Sequence, residues 1–201
     1  MEVGVTATGG VNDCGPEADA PCPPMNATEA RTHFGAWAII SSPLVLGFDL
    51  RDSEQLERHW DAISNVDAIE VNQDYAGFSG TRFMSSDDLT SFEACDWKPN
   101  VTCAWPTLMG FYKPLSGRDK RRSTMAVLLM NNGVSAHPVD FAWNDVPGMA
   151  NSTTACEVYD VWARKSLGRV EGKGFTTATE LPPRDSAFLT LSACEHAAYA
   201  H

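Results

Sequence analysis

The sequence predicts two unlike halves: an α/β segment over residues 1–78, then an all-β antiparallel sandwich over 79–195, with a short tail at 196–201. Three observations support this division. First, helix-period apolar spacing recurs on both sides of one short, nearly continuous apolar run, which is the pattern of βα units. Second, from Gly80 onward, short runs rich in Val, Phe, Thr and Tyr alternate with Gly, Pro, Asn and Asp turn signals, with no helical window among them. Third, the longest apolar stretch, "HFGAWAIISSPLVLGFDL" (His33–Leu50), is interrupted by Ser41-Ser42-Pro43. It is too short and too broken for the roughly 20 apolar residues of a membrane helix.

Each element follows from local grammar. In "TEARTHFGAWAII", Thr28 is a candidate N-cap, Glu29 sits in the first turn, and Phe34, Trp37 and Ala38 fall at helical spacing. Pro43 lacks an N–H and clashes with the preceding turn, so this helix should stop before it. The following "LVLGFDL" reads as a strand buried on both faces of a parallel sheet. Asp52 or Ser53 can cap "SEQLERHWDAIS", with Leu56, Trp60 and Ile63 on one face. "DAIEVNQD" reads as short and extended, Asn72, Gln73 and Asp74 forming a turn into the second half near "YAGFSG". Beyond it lie about eight strands: "TRFM", "LTSFEACDW", "TLMGFYKPL", "STMAVLLMNN", "HPVDFAW", "ACEVYDVWA", "FTTATEL" and "SAFLTLS".

Composition excludes some functions. The net charge is −11, and "KRR" at Lys120–Arg122, the one basic cluster, reads as a solvated turn between strands. A phosphate backbone would be repelled, so nucleic acid is not an expected partner. After Met1, "EVGVTATGG" shows no signal-peptide pattern. Yet there are six cysteines and three sequons, at Asn26, Asn100 and Asn151. Cys14 and Cys22 flank one Pro-containing polar loop, Cys95 and Cys103 another, which suits local disulfides. Cys156 and Cys194 are left available for a long-range pair. Zinc fits less well, because there is no C-x-x-C and no His beside either pair. Such cysteines without a leader suggest that the true N-terminus lies elsewhere.

Four segments together resemble the α-galactosidase (melibiase) family of retaining glycoside hydrolases, which includes α-N-acetylgalactosaminidases. "EVG" at Glu2–Gly4 is similar to the end of that family's W-N-D-P-D-M-L-E-V-G loop. "TEARTHFGAWAIISSPLVLGFDLR" resembles its seventh helix and eighth barrel strand. "VDAIEVNQDYAG" resembles its V-I-A-I-N-Q-D-x-x-G barrel exit, and "VYDVWARKSLG" the D-L-W turn of its C-terminal sandwich. The resemblance implies the last βα units of a (β/α)8 TIM barrel followed by an antiparallel β-sandwich. It also implies hydrolysis of terminal α-D-galactosyl residues with retention, and a secreted, lysosomal or vacuolar location. The chain departs from the pattern in a long insertion after Gly4, in Asp74-Tyr75 where Asp-Pro is common, and in Arg184 where many members have His.

By that resemblance the nucleophile belongs to a K-Y-D motif and the acid/base to an R-x-x-x-D motif, both upstream of Met1. No catalytic residue is therefore expected here, and no activity from this chain alone. No cofactor and no metal are expected. The partners implied are α-galactoside glycans, and a homodimer of the full-length protein is compatible with the family. Asp49 and Arg51 would lie at the active-site face of the eighth strand; pairing with each other, or capping the next helix, accounts for them more simply. Trp37 and Trp60 read as helix–barrel packing, and the five histidines as surface or tail residues. Two alternatives stand beside the α-galactosidase reading. One is an α-N-acetylgalactosaminidase. The other is a non-catalytic carbohydrate-binding sandwich using Trp97, Trp105, Trp143 or Trp162.

Overall fold

The computed structural model describes residues 25–92 and 103–196. Three helices come first: α1 (Ala27–Ile39), α2 (Ser53–Ile63) and α3 (Val66–Gln73). Ten strands follow: β1 (Thr81–Ser85), β2 (Leu89–Phe92), β3 (Cys103–Pro106), β4 (Leu108–Pro114), β5 (Met125–Asn131), β6 (Asp140–Ala142), β7 (Thr153–Asp160), β8 (Lys165–Glu171), β9 (Gly174–Thr176) and β10 (Ser186–His196). Six of them form one antiparallel sheet in the order β1-β4-β5-β10-β7-β8; β2 pairs with β3, and β6 with β9.

Alternation along β5 divides the core. Met125, Val127 and Leu129 face one layer, where Phe141, Trp143, Val146 and Phe175 cover them. Ala126 and Leu128 face the other, against Ala30, Phe34, Ala38, Ile39, Ala68 and Val71 of the helices. Strand β10 splits in the same way: Leu189 and Leu191 join the first layer, Phe188 the second. The sheet is thus sandwiched between a β layer and a helical layer. Each large apolar side chain so covered contributes about 1.5–3 kcal/mol. Two glycines allow the helical layer to seat. A Cβ on Gly35 would come within 2.8 Å of Trp162, and one on Gly80 within 2.1 Å of the Ile39 carbonyl oxygen. That carbonyl accepts a hydrogen bond from the Gly80 N–H, tying the end of α1 to the start of the sheet region.

Several expectations about the first half need correction. The expected strand Leu44–Leu50 does not form a ladder among the described residues. A parallel strand needs flanking strands to bond its N–H and C=O groups, and none is adjacent among the described residues, so barrel units as such are not seen. "DAIEVNQD" is helical rather than extended. The Asn65 side chain accepts from the Asp67 and Ala68 N–H groups and starts α3, so Asn72 and Gln73 are in a helix and Asp74 follows it. Helix α1 is capped by Asn26, not Thr28: Asn26 and Glu29 form a reciprocal capping box. Asp52 caps α2. The buried face of α2 carries His59 and Ala62, while Trp60 is 55% exposed. Strands β3 and β8 add to the eight expected.

Candidate functional site

The expected rim residues pair with each other. The Arg51 guanidinium grips the Asp49 carboxylate through Nε (3.0 and 3.1 Å) and Nη2 (2.7 Å), and the Arg51 N–H also donates to Oδ1. Arg51 thereby holds the Asp49 carboxyl below its usual range. Both side chains are open to solvent, so the pair adds little stability.

Deeper features lie where helices meet sheet. A cleft of about 400 Å³ opens between the start of α1, the second half of α2 and the segment after β7, lined by Arg31, Arg58, His59, Asp61, Trp162 and Arg164. Its guanidinium groups are engaged: Arg31 with Asp185, Arg58 with Glu54, and Arg164 with the Asp61 carbonyl. Trp162 packs at 5.3 Å between ring centroids against Phe188, the two planes tilted by 59°, lies against Gly35, and donates Nε1–H to Ser186. His59 is 2% exposed, correcting its assignment to the surface. Burial, reinforced by Arg58, pushes its pKa down and so favours the neutral ring.

A polar clasp lies at the other end of this seam. Asp67 of α3 accepts from Arg121 at 2.9 Å and from the Tyr159 hydroxyl at 2.8 Å, and Arg121 stacks 4.2 Å over the Tyr159 ring. Burial, and then the Asp67 carboxylate, push the Tyr159 pKa up. Beside the clasp, Lys113 of β4 is fully buried and donates Nζ–H to the Val71 and Asn72 carbonyls at the end of α3. Burial lowers its pKa to about 8. Sequence reasoning missed both groups. "KRR" does occupy a turn, but Arg121 is partly buried in this contact rather than solvated. One available signal was Asp67, an acid in an otherwise apolar register facing the sheet.

The remaining residues singled out from the sequence disperse. Trp143, a candidate sugar platform, is 1% exposed and donates to the Gly172 carbonyl; Trp105 is 54% exposed on β3. Trp37 donates Nε1–H to His33. Cys156 and Cys194 form a disulfide joining β7 and β10. Cys14, Cys22, Cys95, Trp97 and Asn100 lie outside the described residues, as does the side chain of Cys103. Asn26 and Asn151 are exposed. Among the described residues, no cluster of three His, Cys, Asp or Glu could hold a metal ion. No described helix is long and apolar enough to cross a membrane.

The sheet with its covering β layer defines a class: residues 111–191 match the alpha galactosidase C-terminal beta sandwich domain. The α-galactosidase of Coffea arabica is 30% identical over 149 residues, covering 74% of this chain and 32% of that protein. That of Cyamopsis tetragonoloba is 29% identical over 149 residues, covering 74% and 29%. Among solved structures, α-galactosidase I from Mortierella vinacea superposes with a TM-score of 0.63 at 25% identity, over 87% of this chain and 38% of that one. A GH27 β-L-arabinopyranosidase from Geobacillus stearothermophilus shares the fold, with a TM-score of 0.63 at 19% identity over 92% of this chain and 34% of that one. Together these matches support assigning the chain to the α-galactosidase family. The chain spans about a third of the length of these curated relatives.

Proposed function

We propose that this chain is the closing part of a retaining α-galactosidase: α1–α3 end a (β/α)8 catalytic barrel, and the sandwich braces them. The observation that carries the reading is the alignment of 149 residues with the Coffea arabica enzyme, which extends well beyond the matched sandwich domain. In such an enzyme one carboxylate attacks the anomeric carbon while a second, about 5–5.5 Å away, protonates the leaving oxygen; water then releases the sugar from the covalent intermediate. The acid of such a pair needs a raised pKa. Asp49 and Glu195 are both shifted down, by Arg51 and Arg169, and the cleft beside Trp162 has Asp61 as its acidic lining residue. On this reading the reactive pair belongs to the rest of the enzyme, as the order of the family's motifs implies, and the chain alone is expected not to turn over substrate. The same reading places the protein in an oxidising compartment, secreted or in a lysosome or vacuole, which the Cys156–Cys194 disulfide supports.

The test uses two proteins. Purified chain 1–201 should release nothing above blank from an aryl α-galactoside. Protein translated from the complete transcript should hydrolyse it with retained anomeric configuration by NMR, and faster than the aryl α-N-acetylgalactosaminide. Turnover by the chain alone, or a full-length protein that leaves the galactoside intact, overturns the proposal.

A further inference from the structure

We propose that Asn26 and Asn151 are N-glycosylation sites, with their glycans standing at opposite ends of strand β10. This assignment is independent of the catalytic one. Asn26 is exposed at the N-cap of α1. Its Oδ1 accepts from the Glu29 N–H at 2.9 Å, and its own N–H donates to Glu29 Oε2 at 3.0 Å. The capping box therefore uses the amide oxygen and the backbone, not Nδ2, and an N-linked sugar leaves both hydrogen bonds intact. Asn151 is exposed in the turn that leads into β7. Its sequon threonine, Thr153, donates its hydroxyl to the Ala150 carbonyl at 2.7 Å, within the same turn.

The placement of the two sites follows from their neighbours. Thr32, on the second turn of α1, hydrogen-bonds Ser186 at the start of β10; Thr153 pairs with His196 at its end. An 11-residue strand rising about 3.3 Å per residue separates those ends by roughly 30 Å. The disulfide at Cys156, close in sequence to Asn151, points to the same oxidising compartment in which such sugars are attached. In the transfer, Asn Nδ2 attacks the anomeric carbon of a polyprenyl-diphosphate-linked oligosaccharide. A C–N bond forms, the C–O bond to the diphosphate breaks, the diphosphate leaves with the electron pair, and the Nδ2 proton passes to a base of the transferase. No oxidation occurs.

The experiment is site-specific. The chain is produced behind a secretion leader in a eukaryotic host, and secreted and cell-associated fractions are pooled so that retention of misfolded material cannot bias the result. Peptide-N-glycosidase in heavy-oxygen water converts each modified Asn to labelled Asp, read by mass spectrometry. Label is expected at both 26 and 151. Thr28→Ala, which spares the Asn26 cap, and Asn151→Gln should each abolish one label and leave the other. An unlabelled Asn26 or Asn151, with a control sequon labelled in the same cells, overturns the assignment at that site.

Discussion

On one side of the six-stranded sheet, Val127, Leu129, Leu189 and Leu191 meet Phe141, Trp143 and Phe175 in an almost wholly apolar layer. On the other side, Leu128 and Phe188 meet Phe34, Ala38 and Ala68, but polar groups thread the seam. Lys113 holds the end of α3, Asp67 is clasped by Arg121 and Tyr159, the Asn65 amide donates to the Val161 carbonyl at 2.8 Å, and Thr32 bonds Ser186 at 3.0 Å. Apolar contact is tolerant of small shifts, whereas a buried polar group with one matching partner is not. The β side supplies adhesion, and the helical side fixes where each helix sits.

Removing the helices should be the most damaging change. A truncated chain of residues 80–196 bares Ala126, Leu128 and Phe188, and is expected to aggregate or lose cooperative melting, as light scattering and calorimetry would report. A soluble, cooperative 80–196 would mean that the two sides are separable. Next in size, Trp143→Ala on the apolar side should cost about 3–5 kcal/mol in chemical denaturation. Asp67→Asn should cost less, about 2 kcal/mol, since Arg121 keeps some exposure. It should also lower the Tyr159 pKa, measurable by ultraviolet titration. An Asp67→Asn loss as large as that of Trp143→Ala would put the polar side on an equal footing.

The last effect is small at any one pH unit and shows as a slope. The Lys113 pKa is lowered to about 8 from 10.5, so between those values the unfolded chain binds a proton that the folded one does not. Stability from this group therefore rises with pH through that window, by about 1 kcal/mol per unit. Tyr159, shifted up, acts oppositely at pH above 10. Lys113→Met should flatten the slope between pH 8 and 10; an unchanged slope would show that Lys113 is not its source.

Legibility in the sequence followed the same division. Strands such as "STMAVLLMNN" could be read because β-rich apolar runs bounded by turns pair with like neighbours, whereas "LVLGFDL", the same kind of run, joins no ladder among the described residues. Strand β8, "KSLGRVE", could not: it is an edge strand with mostly exposed side chains, so nothing in it alternates strongly. Helix α3 was missed because Val and Ile suggested an extended chain, although Asn65 stood at its cap. The interior roles of Lys113 and Arg121 were hidden because a cation's burial depends on carbonyls and carboxylates distant in sequence. The expectation that the reactive carboxylates lie elsewhere came from motif order alone, and the cleft beside Trp162 emerged only from tertiary packing.

The segment Pro43–Asp49 alternates between half-buried and exposed residues without joining a ladder among the described residues. Among the described residues, backbone bonds engage only the Pro43 C=O, the Val45 N–H and the Asp49 C=O of this segment, which leaves its other peptide groups without a backbone partner. At higher concentration the same groups offer a template to any second extended polypeptide. Solubility and melting temperature are thus governed by different stretches of this molecule, so a variant that resists heat can still precipitate on storage.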